Sequence, residues 1–273
     1  MCTIVLLVDA HPRYPVLVAA NRDEFHARAA DGPRVLVPAT RAVGGRDALA
    51  GGTWMGVSAR GLFAGLTNQR TGEGPAPGLR SRGEVPLGVL ACRGVDEALA
   101  YVGGLDARDY NDFNLVFGDA TGLHCAYARR DARTIRVERV PPGADVLSND
   151  VLDTPTLPKA QRAQAHARRV AAALDASGAS GPADDDALFA GLRGVLASHE
   201  RVPLEALPEP PPGARIDRAL AHALDAVCVH TPLYGTRSAT IAALAPGGIA
   251  HYLFAAGPPC TTPFDDHTAL LRA

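Results

Sequence analysis

The sequence predicts an α+β sandwich, because strand-like segments fill both ends of the chain while an alanine-rich helical stretch occupies its middle. No internal repeat is visible, and Ser177–Pro182 and Pro203–Gly213 are short enough for surface loops. One domain over residues 1–273 is therefore expected.

Thr3–Val8 is a short apolar, β-branched run, and Pro15–Ala20 is a second, with His11, Pro12 and Arg13 marking a turn between them. A second hairpin is expected from Thr53–Ala59 and Leu62–Thr67 around Arg60-Gly61, before Gly72–Gly78 breaks the pattern. Pro86–Ala91 and Val95–Val102 group Leu87, Leu90, Val95, Leu99 and Val102 on helical faces interrupted by Gly94, which reads as one broken helix. Asn114–Asp119 and His124–Ala128 flank the turn residues Ala120, Thr121 and Gly122, and Thr134–Val140 and Val146–Ser148 continue the strand character. Leu157–Ala176 is a strong helix former ended by Ser177-Gly178. Asp184, Asp185 and Asp186 are placed to cap a second helix running to Leu196. Strands return at Ala226–His230, Ser238–Leu244 and Ile249–Phe254, the last two joined by Gly247-Gly248.

Composition narrows the function. A net charge of −2, with both signs spread along the chain, supplies no electrostatic footprint for nucleic acid or an anionic membrane, so a small-molecule ligand is expected. No apolar run approaches the roughly 20 residues needed to span a bilayer, and the N-terminus lacks the pattern of an export signal. The five scattered cysteines read as reduced thiols of a cytoplasmic protein. Oligomeric state is not legible.

Cys2 is the first residue with chemical promise. If Met1 is removed, the residue carries both a thiol and a free α-amine, whose reference pKa of about 7.7–8.0 suits it to take the thiol proton. By itself it fits equally well as a small apolar residue opening a strand. The polar cluster Asn21-Arg22-Asp23-Glu24 follows an apolar strand directly: its carboxylates would orient an ammonium terminus, and Arg22 would hold a substrate carboxylate. A solvated strand end is the competing account. The sole tryptophan, Trp54, reads as a core or pocket wall. His124, Cys125, His222, Cys228 and His230 have spacings that match no zinc signature, so no metal site is expected. Gly44-Gly45 and Gly51-Gly52 are not followed by the lysine and hydroxyl of a phosphate-binding loop.

Met1-Cys2-Thr3-Ile4, Ala20-Asn21-Arg22-Asp23-Glu24-Phe25, Gly51-Gly52-Thr53-Trp54-Met55-Gly56-Val57, Leu66-Thr67-Asn68, Leu147-Ser148-Asn149 and Tyr234-Gly235-Thr236-Arg237-Ser238 occur in an order that resembles the NRDE family, also called the transport and Golgi organisation 2 family. That family is similar to N-terminal-nucleophile hydrolases of the choloylglycine hydrolase and penicillin V acylase type, which open Met-Cys-Thr and build a four-layer αββα sandwich. The resemblance implies that fold. It also implies an amidohydrolase acting on a nonpeptide C–N bond, with Cys2 as nucleophile, Asp23 holding the new amino terminus, Asn149 donating to the oxyanion and Arg237 beside the nucleophile. Asn21, Arg22, Asn68 and Trp54 would face the substrate, with Asn68 as a second oxyanion-side asparagine or Thr67 in its place. One departure stands out: the acylases carry an arginine where this chain has Ala20, whereas here Arg22 lies between Asn21 and Asp23. The family's connection with haem handling and acyl-CoA and lipid metabolism implies the alternative of a carrier. No cofactor is expected for the hydrolase, and haem only for the carrier, although no covalent haem motif is present.

Overall fold

A computed structural model describes residues 2–70, 74–177, 182–207 and 216–272. Its centre is a six-stranded antiparallel sheet. The strands β1 (Thr3–Val8) and β2 (Val16–Phe25) form the first hairpin, flanked by β10 (Gly143–Leu147) beside β1 and by β11 (Tyr234–Ala245), β12 (Gly248–Ala255) and β13 (Asp265–Asp266) beyond β2. Every residue of β1 is buried, which explains why it reads as an unbroken apolar run: it is an interior strand covered on both faces. The β11–β12 turn needs Gly247 and Gly248, whose φ angles of 97° and 142° are those side chains avoid.

A second, seven-stranded antiparallel sheet runs in chain order: β3 (Ala30–Val37), β4 (Ala42–Asp47), β5 (Met55–Val57), β6 (Phe63–Asn68), β7 (Phe113–Asp119), β8 (Gly122–Ala128) and β9 (Arg136–Arg139). The helices are α1 (Glu84–Ala91), α2 (Val95–Gly103), α3 (Pro158–Ser177), α4 (Pro182–Leu196) and the short α5 (Arg218–Ala223).

Strand alternation builds the layers. Odd-numbered Val5, Leu7, Leu17 and Ala19 pack with Ala160, Ala163 and Ala167 of α3 and with Leu188 and Leu192 of α4. Even-numbered Ile4, Leu6, Val16, Val18 and Ala20 face the other way, against Val43, Met55, Val57, Phe63 and Val116 of the second sheet. The outer face of that sheet, through Ala64, Leu66, Leu115 and Phe117, meets Val85, Val89 and Leu90 of α1 and Ala98 and Val102 of α2. The order is helices, sheet, sheet, helices: a four-layer αββα sandwich.

Several expected elements shift. Ala226–His230 is not a strand; only His230 makes an isolated bridge, to Gly235, and the segment is a buried connection. The edge strand β3, its neighbour β4 and the helix α5 are absent from the sequence expectation. Asp184–Asp186 do not cap α4 but lie inside it, since it begins at Pro182, where acidic residues still favour the positive end of the helix. Residues 178–181 and 208–215, within the two expected loops, and residues 71–73, in the Gly72–Gly78 stretch, lie outside the described residues. Among the described residues no helix is long and apolar enough to cross a membrane.

Candidate functional site

The register of three strands brings the conspicuous residues together. Thr3 pairs with Asn21 and Ile4 with Leu147, so continuing each antiparallel ladder sets Cys2 opposite Arg22 on one side and opposite Asn149 on the other. On the next strand Ser238 pairs with Arg22 and Thr236 with Asp23. The carbonyl of Cys2 is fixed by a 2.9 Å hydrogen bond from Ser148 Oγ.

Alternation then sorts the Asn-Arg-Asp cluster onto two faces. Arg22 turns into the space between the sheets, where Cys2, Ile4, Ala20, Trp54, Met55, Leu66 and Thr240 enclose with it a cavity of about 10 Å³. Its guanidinium lies 4.4 Å from the centre of the Trp54 ring, a cation–π contact, and is almost fully buried. Arg22 thus shares a face of the strand with Ala20, and it lines the Cys2 cavity. Trp54 lines the cavity and, beyond the expected wall, carries a cation on its ring face.

Asn21 and Asp23 point to the helix side. The Asn21 amide donates to the carbonyls of Leu196 and Val227 at 2.8 and 3.0 Å, holding the end of α4 and the buried connection before β11. Its amide nitrogen thus acts as a structural clamp, while the residue also lines the inner cavity. Asp23 Oδ1 accepts from Thr236 Oγ1 at 2.7 Å, and Oδ2 lies 3.9 Å from Nζ of Lys159, the only lysine. Both partners are buried. Burial pushes the Asp23 carboxyl up and the Lys159 ammonium down, each towards its neutral form, while their mutual attraction opposes both shifts. The Asp23 backbone N–H reaches the Cys2 sulfur; burial raises the Cys2 thiol, and this bond and Arg22 work against that rise.

Asn149 donates from Nδ2 to the carbonyl of Asn68 at 2.7 Å. Asn68 therefore touches the site through its backbone, while its residue as a whole is exposed. Thr67 does not stand in for it: its hydroxyl donates to the Ser148 carbonyl and accepts from Asn114 Nδ2. Arg237 is not beside the nucleophile. It is the extra residue of a bulge between Thr236 and Ser238, contacts His26 at 3.3 Å, and lines a second cavity of about 110 Å³ that shares Arg22 and Trp54 with the first. Arg28, Arg237 and Asp31 line it together with Arg22, and the Arg28 guanidinium is paired with Asp47 at 2.7 and 2.9 Å.

Two further contributors escaped the sequence reading. Lys159 is the buried counter-charge of Asp23, and the sequence marks it only by its being the one lysine. Gly45 has no room for a side chain, because an added Cβ would fall 2.3 Å from the Trp54 ring. Gly45 is therefore a seat for the indole that packs on Arg22.

This architecture is the N-terminal-nucleophile hydrolase fold. A variant of the conjugated bile acid hydrolase from Clostridium perfringens superposes with a TM-score of 0.53 and 12% identity, covering 99% of this chain and 94% of that one. The Caenorhabditis elegans ortholog of N-acylethanolamine-hydrolyzing acid amidase gives a TM-score of 0.51 at 12% identity, covering 90% and 93%. At that identity the likeness shows the fold alone. The sequence itself matches the model of the Transport and Golgi organisation 2 family over residues 1–253, and the chain belongs to that family. Transport and Golgi organization protein 2 homologs of Bos taurus and Homo sapiens are 32% and 31% identical to it, each over 88% of this chain and 87% of the relative.

Proposed function

We propose that the protein is a cysteine N-terminal-nucleophile amidohydrolase that cleaves a nonpeptide amide of a small, anionic N-acyl compound. The observation that carries this reading is the three-strand register that sets Cys2 between Arg22 and Asn149 at the inner cavity.

Removal of Met1 frees the α-amine of Cys2. The raised thiol pKa keeps the sulfur protonated at rest, so the amine is the base: it takes the thiol proton as the sulfur attacks the acyl carbon. A C–S bond forms and the carbonyl π electrons move to oxygen. Asn149 has two N–H groups, one given to Asn68, and the other stabilises the oxyanion. Collapse breaks the C–N bond, the proton on the α-amine passes to the leaving amine, and water then cleaves the thioester to release the acid and restore the thiol. Asp23 is a positioning residue that orients the amine, itself held by Thr236 and Lys159. Arg22 and Arg237 at the larger recess favour a substrate with a carboxylate or similar anion. A haem does not fit here: about 110 Å³ is well below the roughly 300–1,000 Å³ typical of pockets for drug-sized ligands.

The test is intact-mass analysis of the purified protein before and after a small thiol-directed electrophile, followed by a screen of N-acylated amines. Loss of Met1, selective adduct formation at Cys2 and turnover abolished by Cys2→Ala in a folded variant are expected. Retained Met1, or turnover unchanged in Cys2→Ala, defeats the nucleophile assignment.

A further inference from the structure

Apart from the residues lining the inner cavity, four side chains from three segments of the chain converge. His199 lies just beyond α4, Cys228 and His230 lie in the connection before β11, and Cys260 follows β12. Their ligand atoms all lie within 4.8 Å of one another. Cys228 Sγ is 3.6 Å from both Cys260 Sγ and His230 Nε2, and His230 Nε2 is 3.3 Å from Cys260 Sγ. A tetrahedron with Zn–S of ~2.3 Å and Zn–N of ~2.0 Å has edges of roughly 3.3–3.8 Å, and these three separations fall within that range. The imidazoles of His199 and His230 are 5.2 Å apart at their centres, and a small inward swing of exposed His199 completes the fourth corner.

We propose that His199, Cys228, His230 and Cys260 form a zinc site. Two thiolates and two imidazoles are the borderline-soft donors that suit zinc over the oxygen-seeking magnesium or calcium. Binding releases the two thiol protons to solvent and leaves a neutral centre. Four protein ligands leave no open position, so the ion is structural. It ties the end of α4, the connection before β11 and the loop after β12.

That connection supports the candidate active site. Cys228 N donates to the Ser198 carbonyl at 2.9 Å, next to His199. Val229 N bonds Thr236 Oγ1 and Thr236 N bonds the Val229 carbonyl, both at 2.9 Å. Thr236 Oγ1 is the group that holds Asp23. The ion would fix the strap from which that hydroxyl hangs, and the proposal stands whether or not Cys2 hydrolyses amides. No zinc spacing is visible in the sequence because the four ligands come from three segments joined only by folding.

The full chain, purified under reductant, stripped with a chelator and titrated with zinc and then cobalt, tests this. One zinc per chain is expected, and cobalt should give the intense visible bands of a tetrahedral site with a thiolate charge-transfer band. His199→Ala, at an exposed position that does not threaten folding, should weaken metal binding at least tenfold. Cys260→Ser should abolish the charge-transfer contribution of one thiolate, and Cys92→Ser should leave the spectrum intact. Failure of the reduced protein to retain zinc overturns the site, as does an unchanged cobalt spectrum in both His199→Ala and Cys260→Ser. A Cys228–Cys260 disulfide in protein that takes up no metal after reduction would overturn it in favour of a redox pair.

Discussion

At the residue scale, the buried contact between Lys159 and Asp23 sets two charges against each other behind the candidate site. A lysine with its ammonium buried and no hydrogen bond to Nζ among the described residues is costly, and the Asp23 carboxylate is the charge that offsets that cost on α3. Lys159→Met should leave Asp23 without its counter-charge and destabilise the fold by about 3–5 kcal/mol at neutral pH. Asp23 then takes a proton more readily, so the loss should shrink as pH falls. Urea unfolding of both proteins at pH 5 and pH 8 checks the sign, and an equal loss at both would show that Lys159 acts through packing alone.

At the element scale, β4 and the β4–β5 connection show how a strand seats a side chain. Gly45→Ala should push the indole away from Arg22, cost about 1–3 kcal/mol through overpacking, and shift the emission of Trp54 towards that of an exposed indole. The chain has one tryptophan, so fluorescence reads this displacement without ambiguity, and an unchanged spectrum would refute the seat. The elements also show what was legible beforehand. Interior strands such as β1 and β7 announce themselves as apolar runs. The edge strand β3 does not, because Ala30-Asp31-Gly32-Pro33-Arg34 is largely exposed and carries the charge, glycine and proline that blunt an open edge. Ala226–His230 misleads in the opposite direction. It is apolar because it is buried, and its backbone polar groups go to Asn21, Ser198 and Thr236 instead of a ladder. Within the site, Cys2 and Asn149 were readable from their motifs, whereas the clamp role of Asn21, the partner of Asp23 and the bulge at Arg237 depend on tertiary contacts.

At the scale of the whole molecule, β1, β2 and β11 contribute to both the helix-facing core and the core between the sheets. We therefore expect the chain to unfold as a unit. Far-ultraviolet circular dichroism and Trp54 fluorescence should give coincident denaturant midpoints, and separated midpoints would reveal two folding units. Global stability should also carry an acid-side signature. Asp145 is buried on β10 beside Asp153, and burial together with that neighbour pushes its carboxyl up to about 7. Its folded-state value exceeds the unfolded one of about 3.9, so its contribution is fully present below about pH 4 and is lost as pH rises through 7. Asp145→Asn should flatten the stability profile across that window, and a variant with the wild-type slope would exclude Asp145 as its source.

The alternation of β2 carries two messages interleaved letter by letter, one addressed to the cavity and one to the helices. Shifting a letter by two places, as with the arginine found at 22 instead of 20, changes its position within its own message. Shifting by one delivers it to the other reader. A single-residue insertion after Ala20 would aim the guanidinium of Arg22 at the ammonium of Lys159, move Asn21 into the place over Trp54 and turn the carboxylate of Asp23 to the inner face, exchanging an attraction for a repulsion. Relatives of this chain are thus better recognised by which face a residue occupies than by its place in a column.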